Sequence, residues 1–225
     1  MDGASDGARV AAAIGERPRS LRPAGGHRMG DGVRLAPMTE TPTLHLTVGL
    51  PGVGKTTLAR KLAHEEKAVR FSPDEWMIPL FGTTWREPDA DGKRDVLEGR
   101  LLWAAHEVLG VGGSVVLDFG CWAEAERWAV RAVAEHAGAR FRLYFVELAE
   151  AERRARATAR WEGDPGATFE MTLSDHDRFR GIFQAPTEAE IAAEHLPTPP
   201  AGHASWLAWA ADRWPSLPDF AYEQE

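Results

Sequence analysis

The chain is poor in cysteine, tyrosine and positive charge, and it lacks any long apolar run. Its single cysteine, Cys121, cannot close an internal disulfide, so packing must hold the fold and a reducing, cytoplasmic setting is expected. No stretch approaches the roughly 18 consecutive apolar residues of a membrane-spanning helix, and the first residues lack the apolar segment of a secretory leader. No membrane partner is expected. With 26 Lys and Arg against 34 Asp and Glu the net charge is −8, which disfavours general coating of nucleic acid or anionic surfaces. What is present, 44% apolar and 27% charged residues in a chain of 225, is the composition of an ordinary globular domain.

Residues 1–40 hold seven Gly and three Pro with no helical or strand period, and are expected to be a disordered extension, with Met38 an alternative start. Regular patterning begins at Leu44. Strands are expected at 44–48, 68–71, 115–118 and 141–146, and helices at 56–66, from Pro73, at 89–109, 122–137 and 149–161. Ser72-Pro73-Asp74-Glu75 reads as an N-cap, a first-turn proline and a capping-box glutamate. Strands alternating with helices imply an α/β fold: a mostly parallel sheet with helices on both faces and ligands beyond the strands' carboxyl ends. Past Ala185 prolines interrupt the chain. Only a short helix around His203–Trp214 is expected there, and no fifth strand can be placed.

Gly49-Leu50-Pro51-Gly52-Val53-Gly54-Lys55-Thr56 satisfies G-x-x-x-x-G-K-[ST] between a strand and a helix. Glycines let several N–H groups point inward, and the helix N-terminus adds its positive dipole, forming an anion cradle. Lys55 would reach the terminal phosphates and the Thr56 hydroxyl would ligate Mg²⁺, with Thr57 completing the loop. ATP and Mg²⁺ are therefore the expected cofactors. Asp118, closing a buried apolar strand, is the expected second metal group, although an Asp there also caps turns. Asp118-Phe119-Gly120 is not the protein-kinase motif, because the V-A-I-K and H-R-D segments are missing. The absence of N-K-x-D argues against a guanine-nucleotide switch.

Asp74 emerges on the same sheet edge as the loop, where it could take a proton from an attacking hydroxyl. An acidic residue in a first helical turn equally serves the helix dipole. Arg153, Arg156 and Arg160 share one helical face, suited either to closing over a triphosphate or to pairing with Glu147, Glu150 and Glu152 in solvent.

The ordered set of residues 49–57, Ser-Pro-Asp-Glu-Trp at 72–76, Val-Val-Leu-Asp-Phe-Gly at 115–120 and the arginines of 153–160 resembles the P-loop kinase-like ATP-binding proteins often labelled AAA-type ATPases. More loosely, it is similar to zeta toxins, chloramphenicol phosphotransferase and the kinase domain of polynucleotide kinase. The resemblance covers about residues 44–190. It implies a nucleoside-kinase-like P-loop NTPase three-layer sandwich, with a kinase domain at 41–196 and a Trp/Pro-rich tail at 197–225 outside it. It also implies Asp74 as the base for an acceptor hydroxyl and Arg156 and Arg160 as lid arginines. Polynucleotide kinase carries an arginine three residues after its catalytic Asp; Met77 stands here instead.

Among nine tryptophans, Trp76, Trp85, Trp103, Trp122 and Trp128 are considered for an acceptor wall. Trp103 and Trp128 belong to helix cores. Trp76 and Trp122 follow the motif segments directly, and Arg127 lies a turn beyond Trp122, where it would meet an anionic acceptor group or merely solvate its helix. His64, His106, His136 and His176 lack zinc-ligand spacing with Cys121. The leading expectation is a kinase acting on a small-molecule hydroxyl, on an antibiotic, sugar or nucleoside. A polynucleotide 5′-hydroxyl kinase and a non-catalytic ATP-binding regulatory module are the alternatives.

Overall fold

The computed structural model describes residues 9–12, 41–82, 89–164 and 170–220. In chain order these form β1 (Arg9–Ala12), β2 (Thr43–Val48), α1 (Lys55–Glu65), β3 (Val69–Phe71), α2 (Pro73–Phe81), α3 (Ala90–Gly110), β4 (Val115–Leu117), α4 (Glu124–His136), β5 (Arg140–Glu147), α5 (Glu150–Gly163), α6 (Leu173–Ile182), α7 (Glu188–Ala192) and α8 (Trp206–Arg213). Trp85, Met38 and most of the expected disordered extension lie outside the described residues.

The sheet order is β1-β5-β2-β4-β3. β3, β4, β2 and β5 run parallel, with Leu44 opposite Val115, Leu46 opposite Leu117 and Val48 opposite Phe145. Helical crossovers make that arrangement possible, since parallel neighbours cannot be joined by a tight turn. The fifth strand comes from a place the sequence did not indicate: Arg9–Ala12 adds antiparallel to the outer edge of β5, so the extension is not disordered throughout.

Strand alternation sorts the core into two layers. Leu44, Leu46, Val48, Val115, Leu117, Leu143 and Phe145 face α3 and α4, whereas Val116 and Tyr144 meet Ala59 and Leu62 of α1 on the other face. The sheet is thus covered on both sides.

The tail, which lies outside the family resemblance, completes the larger layer. Trp206, Ala210, Trp214, Leu217 and Phe220 are buried with α3 and α4. Phe220 packs edge-on against His106 and His136 with centroids 5.0 and 5.1 Å away, and lies tilted on Trp103 at 5.7 Å. The prolines that obscured this segment only break it into short pieces.

Arg127 belongs to the same packing. Its side chain is 1% exposed; it pairs with Glu190 of α7 and donates to the carbonyls of Cys121 and Gln184 at 3.2 and 2.8 Å. It ties α4 to the segment around α7. The expected contact with an anionic acceptor does not fit this placement, because every direction of the guanidinium fork is occupied by protein.

His45 sits on the α1 face of β2, its Nδ1 3.0 Å from the Tyr144 hydroxyl. Burial, then the charges of Arg142 and Arg140, lowers its pKa from 6.5 to about 4. Below the ordinary value the unfolded chain therefore binds a proton that the native state refuses. Stability is full above pH 6.5 and is lost as pH falls toward 4, by on the order of 3 kcal/mol from this group. Unfolding free energies at pH 7 and pH 5 should show a smaller decline in His45→Asn than in the parent chain; equal declines would exclude the effect. In the tail, Phe220→Ala is expected to cost about 3–5 kcal/mol in denaturant titration, and a cost near zero would place residue 220 outside the core.

Candidate functional site

Four segments converge at the carboxyl edge of the parallel sheet: the loop after β2, the start of α2, the end of β4 and helix α5. The loop is tight because its glycines allow it. Gly52 has φ +90°, and a Cβ there would lie 2.4 Å from the Arg153 carbonyl oxygen of α5. Gly54, at φ +101°, supplies the left-handed residue from which α1 starts. The exposed N–H groups at that start meet the positive end of the helix dipole, the arrangement that binds phosphate.

Lys55 is the first residue of α1, and its Nζ donates to the Leu50 carbonyl at 3.2 Å, folding back over the loop. Burial lowers its pKa, an effect partly offset by the carboxylates of Asp118 and Asp74. A phosphate anion would relieve that penalty.

Asp118 follows β4 and is buried. The hydroxyls of Thr47 and Ser72 donate to its two oxygens at 3.4 Å each, and Arg70 Nη1 lies 3.5 Å from Oδ2. Burial raises its pKa against the opposing charge of Lys55 and a hydrogen bond with Thr56. A hydroxyl and a carboxylate already in contact, Thr56 and Asp118, form a hard-oxygen pair that suits Mg²⁺ completed by water and phosphate oxygens. Among the described residues no group of three or more His, Cys, Asp or Glu is placed to hold a metal by itself.

Ser72 caps α2 without the expected box. Its hydroxyl is directed to Asp118, and Glu75 turns to Arg60 and Arg70. Pro73 occupies the first turn, so Asp74 projects from the helix start. Its carboxylate is 57% exposed, and Oδ1 accepts from Arg94 Nη1 of α3 at 2.7 Å. Partial burial works to raise its pKa, but the Arg94 charge and hydrogen bond, with Lys55 and Arg160, outweigh that and hold it below the usual carboxylate value. The charges of Asp118 and Asp74 act on Lys55, and those of Lys55 and Asp74 on Asp118, so the three lie within electrostatic reach of one another.

The arginines of α5 divide. Arg153 is buried, donating from Nη1 to the Pro51 carbonyl at 3.2 Å and to His176 Nδ1 at 2.8 Å; it braces the loop from beneath instead of presenting its charge to a triphosphate. Arg156 pairs with Glu152 at 2.8 Å. Arg160 is exposed, and its charge reaches both Lys55 and Asp74. Trp76 is 45% exposed, half a turn past Asp74. Trp122 is partly buried, its ring edge-on to Phe179 of α6 at 4.6 Å, so packing accounts for much of its surface.

Arg94 escaped the sequence reading. The (i, i+4) pairing with Glu98 is legible in α3, but the link to Asp74, 20 residues earlier, is not. Met77, at the position where polynucleotide kinase has its arginine, points into the core, and Arg94 brings a guanidinium to Asp74 from another helix.

The fold has counterparts among solved structures. Kti12 of Chaetomium thermophilum, solved with ADP-AlF3, superposes with a TM-score of 0.52 at 18% identity, over 79% of this chain and 100% of that one. A Chloroflexus aurantiacus protein described as a kinase gives 0.52 at 19% identity, covering 66% of this chain and 80% of its own. A gluconokinase of Sinorhizobium meliloti gives 0.46 at 17%, over 66% and 78%. No curated protein sequence matches the chain. The family model of the AAA domain matches residues 44–186, from β2 through α6, and so takes in the phosphate loop, Asp74, Asp118 and the α5 arginines. The chain therefore belongs to the AAA-domain family, as a nucleotide-binding protein of P-loop kinase-like α/β fold.

Proposed function

We propose that this chain is a phosphotransferase that moves the terminal phosphoryl group of ATP to a hydroxyl of a small molecule. The observation carrying this reading is the Asp74 carboxylate: half-exposed, held ionised by Arg94, and within electrostatic reach of Lys55. A nucleotide-binding module without chemistry would need no second carboxylate kept charged at the mouth of its phosphate loop.

In the proposed step the loop N–H groups and Lys55 hold the terminal phosphates, and Arg160 adds positive charge from α5. Thr56 and Asp118 would hold Mg²⁺, which offsets phosphate charge when bound. Asp74 accepts a hydrogen bond from the acceptor hydroxyl and orients its oxygen. As the acceptor O–P bond forms and the bond from the γ-phosphorus to its bridging oxygen breaks, the hydroxyl proton passes to Asp74 and then to solvent, leaving ADP. A weakly basic carboxylate suffices because the loose transition state for phosphoryl transfer asks for little proton abstraction early on.

A small acceptor is favoured over a polynucleotide by the charge arrangement. Arg154 pairs with Asp177 at 2.9 Å, Arg156 with Glu152 at 2.8 Å and Arg180 with Glu150 at 2.8 Å, so the basic helices offer a neutralised face to a polyanion. The buried thiol of Cys121 fits a reducing, cytoplasmic setting.

Two outcomes are expected. Asp74→Asn should keep ATP affinity within about threefold by calorimetry while transfer falls about 10²- to 10⁴-fold, read as phosphate mass gain across a pool of hydroxyl compounds; unchanged transfer would remove Asp74 as base. Because the Asp74 carboxyl is held below the usual range, the acid limb of kcat/KM should lie below about pH 4. A limb assigned to Asp74 near pH 6 would contradict the ion pair.

A further inference from the structure

Asp74 is joined to the C-terminal segment by a continuous run of hydrogen bonds. Arg94 Nη1 donates to Asp74 Oδ1 at 2.7 Å, Arg94 Nε donates to Glu98 Oε1 at 2.8 Å, and Trp214 Nε1 donates to Glu98 Oε2 at 3.1 Å. Glu98 is 6% exposed and Trp214 fully buried, so the far end of the run is shielded from water. Burial, and to a lesser degree the charge of Glu126, raises the Glu98 pKa, and the Arg94 charge, the Trp214 hydrogen bond and the Arg213 charge work against that rise.

The segment carrying Trp214 is seated firmly on α3. Arg213 Nη1 lies 2.7 Å from Asp95 and Nη2 lies 2.8 Å from Glu126 of α4, and the Ser216 hydroxyl donates to the Val96 carbonyl. Gly99 is the point of close approach: a Cβ there would sit 2.9 Å from the Leu217 nitrogen and 2.4 Å from Ser216 Oγ. Little more than one turn of α3 is thus gripped at Asp95, Val96, Glu98 and Gly99, immediately after Arg94.

We propose that Trp214 is a positioning residue for Asp74, acting through Glu98 and Arg94. A guanidinium has five donors in a fixed plane, so fixing its Nε edge on a buried carboxylate fixes the direction of the Nη1 edge that meets Asp74. Removing the indole N–H leaves Glu98 Oε2 buried without its donor and frees the plane to rotate. The segment after Pro197, beyond the matched family region, then sets the orientation of the acceptor-side carboxylate. The kinetic part of this inference rests on the phosphotransfer reading of Asp74; the structural part does not.

Trp214→Phe keeps an aromatic ring and deletes the donor. In the full chain, exchange of the Arg94 Nε–H proton, followed by nitrogen-15 NMR, should quicken at least tenfold. Phosphoryl transfer from Mg-ATP to the same pool of hydroxyl compounds should fall about tenfold in kcat with KM for ATP unchanged, and the substitution should cost nothing further on an Asp74→Asn background. Unaltered exchange, or the same kinetic loss in both backgrounds, would overturn the proposal. Should Asp74→Asn by itself leave turnover untouched, the phosphotransfer reading fails while the exchange rate still decides the hold on Arg94. If Trp214→Phe unfolds, Glu98→Gln, which retains the packing and weakens the grip on Arg94, is held to the same readouts.

Discussion

Everything proposed for this chain depends on one ion pair, the contact of Arg94 with Asp74. An isolated pair with one half-exposed member contributes little to stability, of the order of 0–1 kcal/mol, and its significance here is directional. Arg94 is tied at its other edge to a buried glutamate, so the guanidinium behaves as a fixed bracket and the carboxylate it holds has a defined orientation. It also stays charged, which lets it receive a proton without first losing one.

Around that bracket the site is a balance of unlike charges confined to the carboxyl edge of the sheet. Lys55 loses basicity to burial and regains part of it from Asp118 and Asp74; Asp118 is driven toward protonation by burial and restrained by Lys55 and Thr56. Each group is incompletely compensated by protein, and each would gain from what a triphosphate with its counter-ion brings: anionic oxygens for the lysine and a cation for Asp118. The architecture supplies this without unusual devices, because parallel strands deliver β2, β3 and β4 to the same edge and each is followed by the loop or helix start that carries one of these groups.

How much of this could be read in the sequence follows from how local each feature is. The phosphate loop was legible because its glycines, lysine and threonine lie within eight residues and between a strand and a helix. The parallel strands were legible from apolar runs. Features made by distant partners were not. The start of α2 was expected correctly from Ser72 and Pro73, yet its capping box was not formed, since Asp118 offers the Ser72 hydroxyl a buried carboxylate and Arg60 and Arg70 draw Glu75 outward. The reciprocal cap occurs at α6 instead, where Thr172 Oγ1 accepts from Asp175 N at 3.3 Å and Thr172 N donates to Asp175 Oδ2 at 2.8 Å, a pattern the sequence carried unread. Arg127 read as a surface charge because nothing nearby reveals Glu190, 63 residues on. The helix of the tail was legible near Trp206–Arg213, but its packing place and the strand at Arg9–Ala12 were not, for the same reason: each is held by surfaces assembled from elsewhere in the chain.

The most direct test of the central claim is a crystal structure of the chain with ADP, Mg²⁺ and an aluminium fluoride mimic of the phosphoryl group in flight. The account predicts an Asp74 oxygen within about 3 Å of the oxygen that occupies the acceptor side of the mimic, in line with the ADP bridging oxygen, with Arg94 still bound to the other side of the carboxylate. An Asp74 carboxylate rotated away from that oxygen, or separated from it by protein, would contradict the account and leave a nucleotide-binding domain whose chemistry lies elsewhere.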